Sequence, residues 1–359
     1  MQLPDHGANP HKLYSQYGME PPLTITDFSE NVHPFGPPQF IENEWHSMLE
    51  LIGHYPDPDA EPFRTAAAKF HAVRKNQVAA GNGAAEIFTW LARRYRNQSV
   101  VLIQPGFSEY RKTLDAENAK IQELKLRPET GWNLPITELY ALVETSKAVY
   151  ICNPHSPTGH LMPVEELLKL AEFCQRAGCE LVVDEAFIDF AGENLSLSSY
   201  LDEFPELIIV RSMTKMYAIP GLRLGYVLAS ERVIRELKQG AAHWNVNALA
   251  AFIGSKCFLE QEYRKKILDE AKRELQIMKQ FLKEHDCIYT NSAANFLSFR
   301  LPDGKDPEAF FEAMLRNGKV LRHTHSFKGM DGNWFRVGMK SAQHMQELRE
   351  AIAKWLMAK

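Results

Sequence analysis

The chain has 359 residues, 45% of them hydrophobic and 24% charged, with a formal net charge of -4. That length holds about two domains of ~150 residues each, and charge of both signs gives no basic stripe for nucleic acid and no polybasic tail for a membrane surface. Small molecules remain as the ligand class.

At the start, "MQLPDHGANPHKLY" lacks the basic and apolar regions of a secretory signal, and no later apolar run is long enough to span a bilayer, so a cytoplasmic location is expected. From about residue 78 to about residue 230, short apolar runs ("VVLIQP", "KAVYICNP", "CELVVDEAF", "LIIVRSM", "GLRLGYVLAS") alternate with segments of helical period. This alternation predicts a mainly parallel sheet covered by helices, whose ligands gather where strands end. One covering helix is legible in detail: Pro163 suits its first position, Val164, Leu167, Leu168, Ala171 and Cys174 share a face, and Gly178 stops it.

Beyond Trp244 the chain turns helical through "EQEYRKKILDEAKRELQIMKQFLKEHD", a long amphipathic stretch suited to linking two bodies. "NFLSFRL", "GKVLRHT" and "NWFRVGM", with the helical segments between them, read as a smaller α/β or α+β unit. The expected division is an N-terminal arm over 1–45, a large domain over 46–243, and a linking helix with a small domain over 244–359. Five cysteines without a CxxC pattern read as buried small residues and not as disulfides or a metal site.

The densest chemistry lies in "RSMTKMYAIPGLRLGY". Lys215 falls just past a strand running from Leu207 to Met213, and although a single lysine is ordinarily a surface residue, its neighbours Ser212, Thr214 and Arg223 supply hydroxyls and a donor fork that suit a phosphate. An amine beside a phosphate points to pyridoxal 5′-phosphate. That cofactor needs a carboxylate at its ring nitrogen, and Asp184, after the run "ELVV", is the candidate; read alone it fits a helix cap or metal ligand as well. Glu185 would point the other way on an extended chain.

"AGNGAAEIF" offers a glycine turn opening a helix at Ala84, where unpaired N–H groups favour an anion, though the turn does not complete GxGxxG. Phe107 in "QPGFSEY" follows another strand end and is either a ring cover or a core residue. Arg336 and Arg322 are charges set in apolar runs of the small unit, each pointing outward or awaiting an anion, and the pair suggests a substrate with two anionic groups.

Together "HGAN", "DFSENVHPFG", "HYPDPDA", "AGNG", "PGFSEY", "NPHSPTG", "DEAFIDF", "TKMYAIPGLRLGY", "WNVNALAA" and "FRVGMKS" run nearly end to end, and the chain resembles the fold-type I pyridoxal-phosphate enzymes. Within them it is most similar to the threonine-phosphate decarboxylases of cobalamin biosynthesis, with the histidinol-phosphate aminotransferases next. The resemblance implies Lys215 as the lysine that attaches the cofactor, Asp184 at the ring nitrogen and Phe107 against the ring. It implies Ser212, Thr214, Arg223 and the Gly83-Ala84-Ala85 turn at the cofactor phosphate. Tyr55 would reach that phosphate from the other subunit of a homodimer. Arg336 would take the substrate carboxylate and Arg322 its phosphate, with His6 and Asn31 in an N-terminal lid.

Two positions bear on the cofactor's phenolic oxygen. Relatives usually carry asparagine where this chain has Ser156, whose hydroxyl reaches less far, and Phe187 stands where related aminotransferases carry tyrosine. The implied activity is decarboxylation of L-threonine O-3-phosphate, with histidinol-phosphate transamination as the rival. A cofactor-binding regulator would need a DNA-binding module that the sequence does not offer, and a dinucleotide oxidoreductase would need the glycine fingerprint it lacks.

Overall fold

The computed structural model describes Pro4 and residues 6–358. Its centre is a seven-stranded sheet of order β2-β8-β7-β6-β5-β3-β4, formed by β2 (Val78–Asn82), β3 (Ser99–Gln104), β4 (Lys120–Lys125), β5 (Ala148–Cys152), β6 (Glu180–Asp184), β7 (Leu207–Ser212) and β8 (Leu224–Ala229). Strands β4, β3, β5, β6 and β7 run parallel, while β8 is antiparallel to both β7 and β2. Strands β5, β6 and β7 are buried at every position, which is why they read as unbroken apolar runs. Helices bury a core on each face, one around Val149, Val183 and Ile209 and the other around Val100, Val182 and Ile208.

The covering helix spans Val164–Ala177, with Pro163 one place earlier than expected, as the cap before its first turn. Leu167, Leu170, Ala171 and Cys174 are its buried residues, so Leu170 joins the expected face while Val164 and Leu168 are only partly buried. Gly178 ends it in the left-handed conformation. All five cysteines are buried and free.

A second core gathers Leu13, Tyr14 and Phe28 from the N-terminal arm with Leu297, Phe310, Val337 and Leu348. Its sheet has the order β12-β13-β10-β9, built antiparallel from β9 (Ile288–Tyr289), β10 (Phe296–Arg300), β12 (Arg322–His323) and β13 (Phe335–Gly338). The arm is stitched on by a parallel pairing of β1 (Thr26–Asp27) with β11 (Lys319–Val320). The helix Gln261–Glu284 runs between the cores: Ile267 packs into the first, and Leu275, Met278 and Leu282 into the second. Among the described residues no helix is long and apolar enough to cross a membrane.

Candidate active site

At the carboxyl ends of β5, β6 and β7 a cavity of about 290 Å3 opens between the seven-stranded sheet and the N-terminal arm. Parallel strands ending together leave such a crevice, and loops from several of them furnish its walls. Lys215, Asp184, Ser212, Thr214, Arg223 and Phe187 line it from the sheet side, Ala84, Ala85 and Phe107 from helix starts, and Ser156, Arg336, Asn31 and His6 from elsewhere in the chain.

Lys215 Nζ donates to Ser212 Oγ at 3.2 Å and lies 5.3 Å from the centre of the Phe187 ring. Burial lowers the pKa of its ammonium, Asp184 and Cys152 pull it back up, and Arg223 and Arg336 lower it further. A lysine so placed gives up its proton more readily and becomes a nucleophile.

Asp184 closes β6 with its carboxylate inward. The Tyr110 hydroxyl donates to Oδ2, and the backbone N–H of Ala186 donates to Oδ1 at 3.0 Å. Burial raises the carboxyl pKa, against which the Tyr110 hydroxyl, Lys215 and the Ala186 N–H act in that order. Glu185, one residue on, faces away as the alternation of an extended chain requires: it accepts from Ser196 Oγ at 2.7 Å and the Leu197 N–H at 2.9 Å, and pairs with Arg211 at 3.2 Å.

The anion cradle is built from backbone as much as from side chains. Gly83 sits at φ 77° just before the helix Ala84–Arg94, and a Cβ there would collide with the Arg223 guanidinium. Arg223 itself is left-handed at φ 56°, a conformation costly for a residue with a Cβ. Its Nη1 donates to the Pro220 carbonyl at 3.2 Å, which leaves the fork beside the unpaired N–H groups of the helix start.

On the opposite wall Arg336 Nη1 donates to Ser156 Oγ at 3.3 Å and Nη2 to the Ser29 carbonyl at 2.9 Å. Its Nε is buried without a partner, and no carboxylate among the described residues forms an ion pair with it. Burial, with Arg322 adding to it, pushes the guanidinium pKa down to about 9 while Asp27 pulls it up. Guanidinium stays charged at neutral pH, so this is the signature of a cation short of an anion.

Arg322 pairs directly across from Arg336 on the neighbouring strand and donates to Ser326 Oγ at 2.6 Å and to the Pro4 carbonyl at 3.3 Å. Unlike Arg336, it does not line the cavity. His6 Nε2 meets Glu109 Oε1 at 3.0 Å and its ring lies 5.6 Å from Phe107. Asn31 is buried with its side-chain oxygen unpartnered. Tyr55 lies outside the cavity, 82% exposed, with its ring 4.9 Å from that of Trp244.

Sequence reasoning overlooked Tyr110, Cys152 and Ser29, all of which line the cavity. Tyr110 had a signal, since it follows Phe107 by three places at the start of the helix Ser108–Ala116 and so shares its side of that helix. Ser29 acts on Arg336 through its backbone carbonyl, which no side-chain pattern reveals.

The sequence family described as aminotransferase class I and II matches residues 24–354. A threonine-phosphate decarboxylase of Salmonella typhimurium is 30% identical over 350 residues, covering 97% of this chain and 95% of its own. A histidinol-phosphate aminotransferase of Bacillus cytotoxicus is 26% identical, covering 93% and 89%. The crystal structure of histidinol-phosphate aminotransferase from Sinorhizobium meliloti in complex with pyridoxal-5'-phosphate shares the fold, with a TM-score of 0.85 at 20% identity over 97% of this chain and 94% of that one. With nearly its whole length matched and an amine, a buried carboxylate and an anion cradle converging on one cavity, the chain belongs to the class I and II aminotransferase family, of fold type I and dependent on pyridoxal 5′-phosphate.

Proposed function

We propose that this protein decarboxylates L-threonine O-3-phosphate to (R)-1-aminopropan-2-yl phosphate, a step of cobalamin biosynthesis, as a cytoplasmic homodimer. Pyridoxal 5′-phosphate, when bound, supplies an electron sink that allows a bond at the substrate's α-carbon to break. Lys215 offers its amine, whose pKa burial lowers, as the attachment point. Asp184 holds a proton at the ring nitrogen, and Phe107 covers a ring face. Ser212, Thr214, Arg223 and the Gly83-Ala84-Ala85 helix start hold the cofactor phosphate, completed by Tyr55 from the partner copy, a role to which its exposure is suited.

The observation that carries the reading is the buried, anion-short Arg336 in the cavity wall, fit for a substrate carboxylate, with Arg322 across from it on the neighbouring strand as the proposed phosphate contact. His6 and Asn31, which line the cavity, are assigned to a lid formed by the N-terminal arm. Ser156 and Phe187 give the phenolic oxygen less donor support than asparagine and tyrosine would. Because Ser156 already accepts from Arg336, its role turns toward the substrate arginine.

The relative among histidinol-phosphate aminotransferases favours a second reading, because the same arginines suit that phosphorylated amine's class. Which α-carbon bond lies perpendicular to the ring decides between the two. Incubation with threonine phosphate and no keto acid separates them: release of carbon dioxide is expected, and turnover only after 2-oxoglutarate is added would make the enzyme an aminotransferase.

A further inference from the structure

The geometry points to Tyr110 as a positioning residue that keeps Asp184 ionised and aimed at the cofactor's ring nitrogen, and we propose that role for its hydroxyl. This rests on the reading of Asp184 as the carboxylate at that nitrogen.

Three observations carry it. Tyr110 is buried in the helix Ser108–Ala116, and its ring is wedged by Phe88 at 4.8 Å, Phe107 at 5.5 Å and Tyr150 at 5.5 Å, so the hydroxyl has a fixed position. That hydroxyl donates to Asp184 Oδ2 while the Ala186 N–H holds Oδ1, so both carboxylate oxygens are tied and the group cannot rotate. Finally, the donor sense is one-way: burial first, then Asp184 and Cys152, raise the phenol pKa well above its ordinary value, so the proton stays on Tyr110 and points at the carboxylate.

The consequence follows from burial. A carboxylate enclosed by protein drifts toward its neutral acid, in which form it cannot hold a proton on a ring nitrogen. Tyr110 on its helix, the Ala186 N–H beyond β6 and Lys215 beyond β7 counter that drift, while Cys152 at the end of β5 is neutral because burial, with Asp184 adding to it, raises its thiol pKa. Among the described residues, Tyr110 is the side chain that donates to Asp184 while taking no part in attaching the cofactor. It is therefore the residue through which the strength of the ring nitrogen's partner is set.

Tyr110→Phe keeps the ring and deletes the donor. The apo forms of wild type, Tyr110→Phe, Tyr110→His and Asp184→Asn are to be titrated with pyridoxal phosphate and with its carbocyclic analogue lacking the ring nitrogen, alongside thermal melting. For Tyr110→Phe the dissociation constant of pyridoxal phosphate is expected to rise about tenfold, with affinity for the analogue unchanged. Tyr110→His, which restores a donor on a ring, should recover part of the loss. Equal weakening toward both ligands, or none toward either, overturns the proposal by making Tyr110 a packing residue. Asp184→Asn separates the two levels of the argument. If it discriminates between the ligands while Tyr110→Phe does not, Tyr110 alone loses its role; if it fails to discriminate, the reading of Asp184 falls and that of Tyr110 with it.

Discussion

Two groups of buried charges lie back to back across the ends of β6 and β7, and they are built on opposite rules. On one side Arg211 bonds Glu193 at 2.8 and 2.9 Å, Glu185 at 3.2 Å and Asp189 at 3.5 Å, while Arg264 meets Asp189 at 3.2 Å and the Tyr217 hydroxyl at 2.8 Å. On the other, Arg336 has hydroxyl and carbonyl partners and no carboxylate. Neighbours in sequence divide between them: Asp184 and Ser212 face the cavity, Glu185 and Arg211 the cluster. A buried charge matched by protein groups holds the fold, whereas one left unmatched is waiting for a ligand.

Breaking each side should therefore give different phenotypes. The largest effect belongs to Lys215→Ala, expected to lower turnover by about 10^4-fold or more, because the proposed attachment point is lost. Melting temperature of the apo-protein should stay near that of wild type, since among the described residues Lys215 forms no ion pair. Appreciable residual turnover would remove Lys215 from the mechanism.

The contrast itself is tested by a pair of isosteric changes. Arg211→Met leaves the buried Glu185 without its cation and should cost about 3–5 kcal/mol of stability in a denaturant titration. Arg336→Met removes a cation that the fold does not neutralise, so stability should hold or rise, while kcat/KM falls about 10^2-fold or more through loss of a charge-assisted pair with the substrate. If the two variants destabilise alike, the division between matched and waiting charges is wrong.

How much of this could be read in the sequence depends on whether function sat on a side chain or on a contact. The position of Lys215 and Asp184 at the cavity was legible because each follows an apolar run, and the ends of buried strands are where such sheets bind ligands. The opposite facing of Asp184 and Glu185 was legible for the same reason, from the alternation of an extended chain. The joining helix Gln261–Glu284 showed itself by period alone. By contrast, β1 and β11 have two residues each, too short for any pattern, so the stitching of the arm to the second core was invisible. The Arg211 cluster was equally hidden, since its members come from β7, the turns after β6 and a helix far along the chain. Tyr110 looked like one more aromatic on a covering helix; only the position of its hydroxyl gives it a task.

The smallest expected effect sharpens the comparison through pH. Burial lowers the pKa of His33 to about 4, of His71 to about 3, of His155 to about 4 and of His323 to about 3, so all four are neutral in the folded protein at pH 7. Their unfolded values lie near ~6.5, so below that pH the unfolded chain binds more protons and stability falls as pH drops toward the folded values, by up to about 1.4 kcal/mol per pH unit for each. Glu185 works in the opposite sense: its folded pKa is raised to about 7, mainly by burial, so between its unfolded value and that point the folded state binds more protons and stability rises as pH falls. Taken together, these four histidines outweigh Glu185 between pH 6.5 and about 4. His71 belongs to the matched side, 3.4 Å from Glu193 and 2.8 Å from the Tyr226 hydroxyl. Replacing it with glutamine keeps a polar group there without a titrating one. Denaturant midpoints measured from pH 7.5 down to 5 should then decline less steeply than in wild type, by about one proton's worth of slope. An unchanged slope would mean that His71 is already protonated in the fold and that the cluster is balanced by three cations instead of two.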